Sequence, residues 1–151
     1  NWGHPKLIAM VERLARETSL PISVDTSKPE VMRAAVQAGA GMINDVYALR
    51  RDGALDAAAA AGVPVVLTHM QGEPRTMQEA PHYDDLLAEV HRFLADRVLA
   101  CEMAGIGRRR IVIDPGYGFG KTTQHNLLLL RQPAPAPAAP AKPGIRWPDD
   151  D

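Results

Sequence analysis

The sequence predicts an α/β fold built around a parallel sheet. Short apolar runs rich in β-branched residues alternate with longer stretches of helical periodicity. Each run stops at a polar residue, and glycine or proline bounds most of them. Residues 6–17 read as the first helix, with Leu7, Ala9, Met10, Val11, Leu14 and Ala15 apolar. The first strand is expected at 22–25 (Ile-Ser-Val-Asp). Ser27-Lys28-Pro29-Glu30 then has the form of a capping box, with Ser27 as N-cap, Glu30 at N3 and proline in the first turn. Val31, Ala35 and Ala38 share a face of that helix, and Gly39 ends it. A second strand is expected at 42–46, an alanine-rich helix at 54–61 stopping at Gly62, and a third strand at 64–69. The longest helix spans 84–104. Leu86, Leu87, Val90, Phe93, Leu94, Val98 and Cys101 recur at helical spacing, and Gly105 stops it. Arg108-Arg109-Arg110 reads as a solvated turn, and a fourth strand is expected at 111–114.

The order α-β-α-β-α-β-α-β implies parallel strands joined by right-handed crossovers. Two architectures satisfy it, an open doubly wound sheet and a closed (β/α)8 barrel. A barrel needs eight strands and about 250 residues, so that reading makes this chain a part of one.

Composition bounds the rest. The 151 residues are 46% hydrophobic and 23% charged, enough for one sizeable core. A net charge of −1 gives no electrostatic case for nucleic acid or an anionic membrane. No apolar run approaches the roughly 20 residues of a membrane span. The first residues, Asn-Trp-Gly-His-Pro, do not have the form of a signal peptide. Cys101, the single cysteine, lies on an apolar helix face, where it fits a core and a reducing compartment; a cytoplasmic location is expected. Six prolines fall between 132 and 151. That segment is expected to be an extended, disordered tail, leaving 1–131 as the folded domain.

In parallel α/β folds, sites form at the carboxyl ends of strands. Asp25, Asn44 with Asp45, His69 with Met70 and Gln71, and Asp114 stand there. Buried strands have no structural need for carboxylates at their mouths, and leaving them unpaired is costly. Helix capping is the plain alternative for Asp25, but caps normally lie in loops. Two carboxylates and an amide suit a flat, nitrogen-rich heterocycle with N–H donors. Met70 and Phe119 can cover its faces. Gly116, Gly118 and Gly120 lie in the densest glycine cluster. Its end, Gly120-Lys121-Thr122, imitates a phosphate loop, but the first glycine of that motif would fall on Pro115. These glycines are expected to let backbone approach a ligand closely. His69 reads as a satisfied histidine rather than a metal ligand, because no second His or Cys lies at ligand spacing. Thr76 and Glu79 have the spacing of a capping pair.

Four segments succeed one another in a specific order: Ile22-Ser23-Val24-Asp25-Thr26-Ser27-Lys28-Pro29-Glu30-Val31; Ile43-Asn44-Asp45; His69-Met70-Gln71-Gly72 with Pro74, Thr76 and Met77; and Asp114-Pro115-Gly116-Tyr117-Gly118-Phe119-Gly120-Lys121. Over about residues 6–131 the chain resembles the dihydropteroate synthase family, the pterin-binding enzymes of folate biosynthesis and targets of sulfonamides. The resemblance implies a partial (β/α)8 barrel. It implies a transferase that condenses 6-hydroxymethyl-7,8-dihydropterin diphosphate with p-aminobenzoate, giving 7,8-dihydropteroate and diphosphate with help from Mg2+. It casts Asp25 and Asp114 as catalytic and pterin-binding carboxylates and Asn44 as their amide partner. Val46, Met70 and Phe119 become apolar pterin contacts, with Phe119 also near the aminobenzoate. The family's metal ligand, its Lys-Ser pair and its Arg-x-His have no counterpart in this sequence. The chain is therefore expected to be a piece of such an enzyme, impaired or inactive alone, and its open sheet edges suggest a homodimer. The other readings are a pterin- or folate-binding methyltransferase domain and a non-catalytic truncated module.

Overall fold

The computed structural model describes residues 4–71 and 85–131. The expected tail at 132–151 and the cap at Thr76 and Glu79 lie outside them. Helix α1 (His4–Glu17) leads into strand β1 (Ser23–Asp25), followed by α2 (Pro29–Ala38), β2 (Met42–Asp45), α3 (Ala54–Ala61), β3 (Val65–Thr68), α4 (Leu86–Met103), β4 (Ile111–Asp114) and α5 (Thr123–Arg131). Most of the strands are one or two residues shorter than the apolar runs, because the ladder ends where the loops turn away.

All four strands are parallel, in the order β1-β2-β3-β4. A doubly wound sheet reverses its order at a switch point; a barrel wall does not. The sequential order therefore selects the barrel. Consecutive helices touch in the same sequence, α1 on α2, α2 on α3 and α3 on α4, as an outer ring does.

Burial alternates with period two along β1, β2 and the first three residues of β3. Val24, Ile43, Val65 and Leu67 are buried and join helix residues Met32, Ala35, Ala57, Ala58, Val90, Leu94 and Cys101 in one core. The intervening residues face the other way. They include Asp25, Asn44, Val66 and Val112, and Val112 is 45% exposed. The core thus lies between sheet and helices, and the opposite sheet face is open.

Two local expectations are corrected. Lys28, not Ser27, is the N-cap of α2, and no side chain caps it. Thr26 Oγ1 instead accepts from the Lys28 N–H at 3.2 Å, so the first turn starts one residue later. The arginine triplet is not simply solvated. It forms a short 3-10 turn, and the Arg110 guanidinium donates to the carbonyls of Val63 (3.3 Å) and Ala58 (3.1 Å), tying α3 to β4. By contrast α4 follows its sequence periodicity, with Leu86, Val90, Leu94, Val98 and Cys101 buried and Asp85 capping the Ala88 N–H.

Candidate functional site

The parallel register places Asp25 beside Asn44, Asn44 beside Val66, and Thr68 beside Asp114. Val66 to Thr68 is a two-residue step, as is Val112 to Asp114. Asp25, Asn44, Thr68 and Asp114 therefore share the face turned away from the helices, at the carboxyl end of the sheet, with Thr68 buried there. This brings together the three polar residues on which the sequence reading rests. Desolvation holds the Asp25 carboxyl above its ordinary value. Asp114 Oδ1 accepts from the Gly116 N–H at 2.7 Å, which aims the side chain while leaving Oδ2 outside that bond. Asn44 Oδ1 is buried and finds no hydrogen-bond partner among the described residues. An orphaned buried acceptor costs about 1–3 kcal/mol, so a donor arriving from a ligand is favoured there.

Asp45 does something else. As the residue after Asn44 it points to the helix side, where it is fully buried. Its Oδ1 accepts from the Tyr47 N–H (2.9 Å) and its Oδ2 from the Leu49 N–H (3.0 Å). Burial pushes its pKa up, and these two bonds pull it back. They brace a turn in which Ala48 and Leu49 adopt φ of 50° and 60°, a left-handed conformation strained for side-chain-bearing residues. From α4, Arg97 donates to the carbonyls of the same two residues at 2.8 and 3.0 Å. Val46 lies half-buried in this turn, past Asn44.

The other half of the site is two loops pressed together. Met70 is buried just beyond β3, and Phe119 is half-buried in the loop after β4. Two glycines of that loop, Gly116 and Gly120, approach protein backbone closely, whereas nothing lies within 4 Å of the Cβ position of Gly118. A Cβ on Gly116 would collide with the His69 carbonyl oxygen, and one on Gly120 with the backbone of Gln71. Lys121, which sequence reasoning quoted in the family motif without giving it a role, is 1% exposed. Its Nζ lies 3.0 Å from His69 Nδ1 and donates to the carbonyls of His69 (3.2 Å), Gly116 (2.7 Å) and Phe119 (3.0 Å).

His69 is the satisfied histidine expected, with its ring edge-on to Phe93 at 5.1 Å. Burial lowers its pKa to about 4, and the Lys121 and Arg50 charges add to that effect. An ammonium cannot accept and its three N–H groups are shared among four acceptors, an arrangement that suits the tautomer with Nδ1 unprotonated. The folded pKa lies below the unfolded value of 6.5, so the unfolded chain binds protons first. Stability should fall as pH drops from about 6.5 toward 4, by on the order of 3 kcal/mol from this residue. Urea unfolding at stepped pH tests this, with His69→Gln expected to flatten the slope. Equal slopes in parent and variant would contradict it.

Residues 4–135 match the family described as pterin binding enzyme. The chain belongs to that family. It is 52% identical over 125 residues to the dihydropteroate synthase of Escherichia coli K12, a match covering 83% of this chain and 44% of that enzyme. Among solved structures, Stenotrophomonas maltophilia dihydropteroate synthase with active site-bound imidazole is 66% identical. The match has a TM-score of 0.81 and covers 83% of this chain and 47% of that one. The Xanthomonas albilineans enzyme in complex with 7,8-dihydropteroate is 62% identical at a TM-score of 0.78, covering 85% and 46%. The chain thus spans less than half the length of these relatives. As a member of this family it carries the parallel strand and helix arrangement of the part of those structures that it matches. No described helix is long and apolar enough to cross a membrane.

Proposed function

We propose that the open face of this sheet binds the pterin of a dihydropteroate synthase. The reaction joins 6-hydroxymethyl-7,8-dihydropterin diphosphate to p-aminobenzoate, yielding 7,8-dihydropteroate and diphosphate. The observation that carries the reading is the polar row Asp25, Asn44 and Asp114 on one face, with Asn44 Oδ1 buried and unpartnered among the described residues. A pterin is flat and presents amidine-like N–H groups along one edge. Two carboxylates and an amide oxygen match that edge, and Met70 and Phe119 supply apolar contact. The complex of the Xanthomonas albilineans relative with 7,8-dihydropteroate supports the same ligand class.

The chemistry follows from the charge. The bond from the pterin methylene to the diphosphate oxygen breaks, and its electron pair leaves with diphosphate. The arylamine nitrogen then bonds to the methylene carbon and loses one proton. Positive charge develops on the pterin methylene between these events. Asp25 and Asp114, fixed on the strand ends before the reaction, stabilise that charge more than the neutral ground state. Among the described residues no three His, Cys, Asp or Glu side chains gather to hold a metal ion. The Mg2+ that the resemblance implies would take its protein ligand from outside this chain, and no step here runs through it. The single cysteine, buried and free, fits a cytoplasmic protein. The outer edges of β1 and β4 offer pairing to a second copy, which supports the homodimer as part of this proposal.

Calorimetry with 6-hydroxymethyl-7,8-dihydropterin tests the binding. Asp114→Asn keeps an oxygen for the Gly116 N–H but turns an NH2 toward the ligand. Affinity should fall by about 1.5–3 kcal/mol, the worth of a charge-assisted hydrogen bond. An unchanged dissociation constant removes Asp114 from the site.

A further inference from the structure

We infer that Lys121 is a positioning residue of the pterin site, an internal pin that fixes the loop after β4 against the end of β3. The inference rests on the pterin reading above. Lysine is among the residues least often fully buried, because desolvating an ammonium is costly without several acceptors. Here three carbonyls and an imidazole nitrogen converge on Nζ, and they come from two loops. His69 immediately precedes Met70. Gly116 is held by the Asp114 carboxylate. Phe119 contributes its own carbonyl. One side chain thus ties together the backbone that carries Met70, Asp114 and Phe119, three of the proposed pterin contacts. The pairing extends outward from the pin. The His69 N–H donates to the Asp114 carbonyl at 3.0 Å, and the Gly118 N–H donates to Asn126 Oδ1 at 2.8 Å, at the first turns of α5.

A neutral hydrophobe of equal length would not serve. The surrounding acceptors are carbonyls, which keep their lone pairs whatever replaces the ammonium, and leaving them unpaired opens the loop to water. Burial lowers the Lys121 pKa to about 8, while the Asp114 carboxylate pulls it back up, so the group still carries its proton at neutral pH.

The test uses the 151-residue chain with Lys121→Met, which keeps the side-chain length and removes every donor. Hydrogen exchange by NMR is read at Gly116, Gly118 and Phe119, with Val24 and Ile43 as references in β1 and β2. Pterin affinity is read by calorimetry. The expected result is exchange about a hundredfold faster in the loop with the reference strands unchanged, and affinity lower by about tenfold or more. Lys121→Gln, which keeps two N–H donors, should fall between parent and Lys121→Met on both readouts. Unchanged loop exchange, or an equal rise at loop and references, overturns the inference. So does normal affinity despite a loosened loop. If Lys121→Met does not fold, Lys121→Gln alone decides by the same criteria; if neither folds, Lys121 serves folding only and the inference fails. A parent chain that binds no pterin overturns the pterin reading, while the exchange pattern still decides whether Lys121 holds the loops together.

Discussion

Gly116→Ala is expected to destabilise the chain by about 3–5 kcal/mol, read as a shift of the urea midpoint. Two costs combine. Gly116 has φ of +74°, a left-handed conformation that costs a residue with a Cβ roughly 1–2 kcal/mol. The new methyl would also strike the His69 carbonyl oxygen and lie 3.1 Å from Lys121 Nζ, so the packed loops must separate. Gly118 is the internal control. Its φ is +78°, but nothing lies within 4 Å of its Cβ position. Gly118→Ala should therefore show only the conformational part, about 1–2 kcal/mol. Equal losses at the two positions would mean that the loop does not press on His69.

Asp45→Ala should cost about 3 kcal/mol or more. The substitution strips partners from the Tyr47 and Leu49 N–H groups, the second of them buried, and leaves the two left-handed residues held by Arg97 and by the backbone bond from the Ala48 N–H to the Asp45 carbonyl. The loss should appear in denaturation with or without ligand. Asp25→Asn is the contrast. That carboxylate lies on the open face, and its replacement should change stability by no more than about 0.5 kcal/mol while weakening pterin binding. A stability loss at Asp25 equal to that at Asp45 would reverse the roles assigned here.

These two aspartates show how far the sequence could be read. Both stand at the end of a strand, and a carboxylate there is visible in either case. Separating them needs the strand period. Asn44 and Asp45 are adjacent, so one must face the core side when the other faces away; the N–H partners of Asp45 lie two and four residues on, but the Arg97 guanidinium that holds the same turn comes from α4, 49 positions from Ala48. The strands, the α4 stripe and the polar mouth were legible because each is written within a few residues. The Lys121 pin was not. His69 and Lys121 are separated by 52 positions, and no local periodicity marks a lysine that folding will enclose. Gly116 and Gly120 were legible as points of close approach, but their backbone neighbours were not, because His69 and Gln71 reach them only through pairing of β3 with β4. Ser27 misled for a related reason. Its spacing to Glu30 fits a capping box, yet the helix begins after Lys28, and no side chain caps that end.

The two-sided character of the strands has an evolutionary corollary. One side of each strand is committed to the interior, with Val24, Ile43, Val65 and Leu67 locked into shared packing. The other side carries Asp25, Asn44 and Asp114 and takes little part in that packing. Selection can therefore rewrite ligand preference one position at a time on the second side without disturbing the scaffold, so drift in affinity and drift in thermal tolerance should proceed along separate mutational axes.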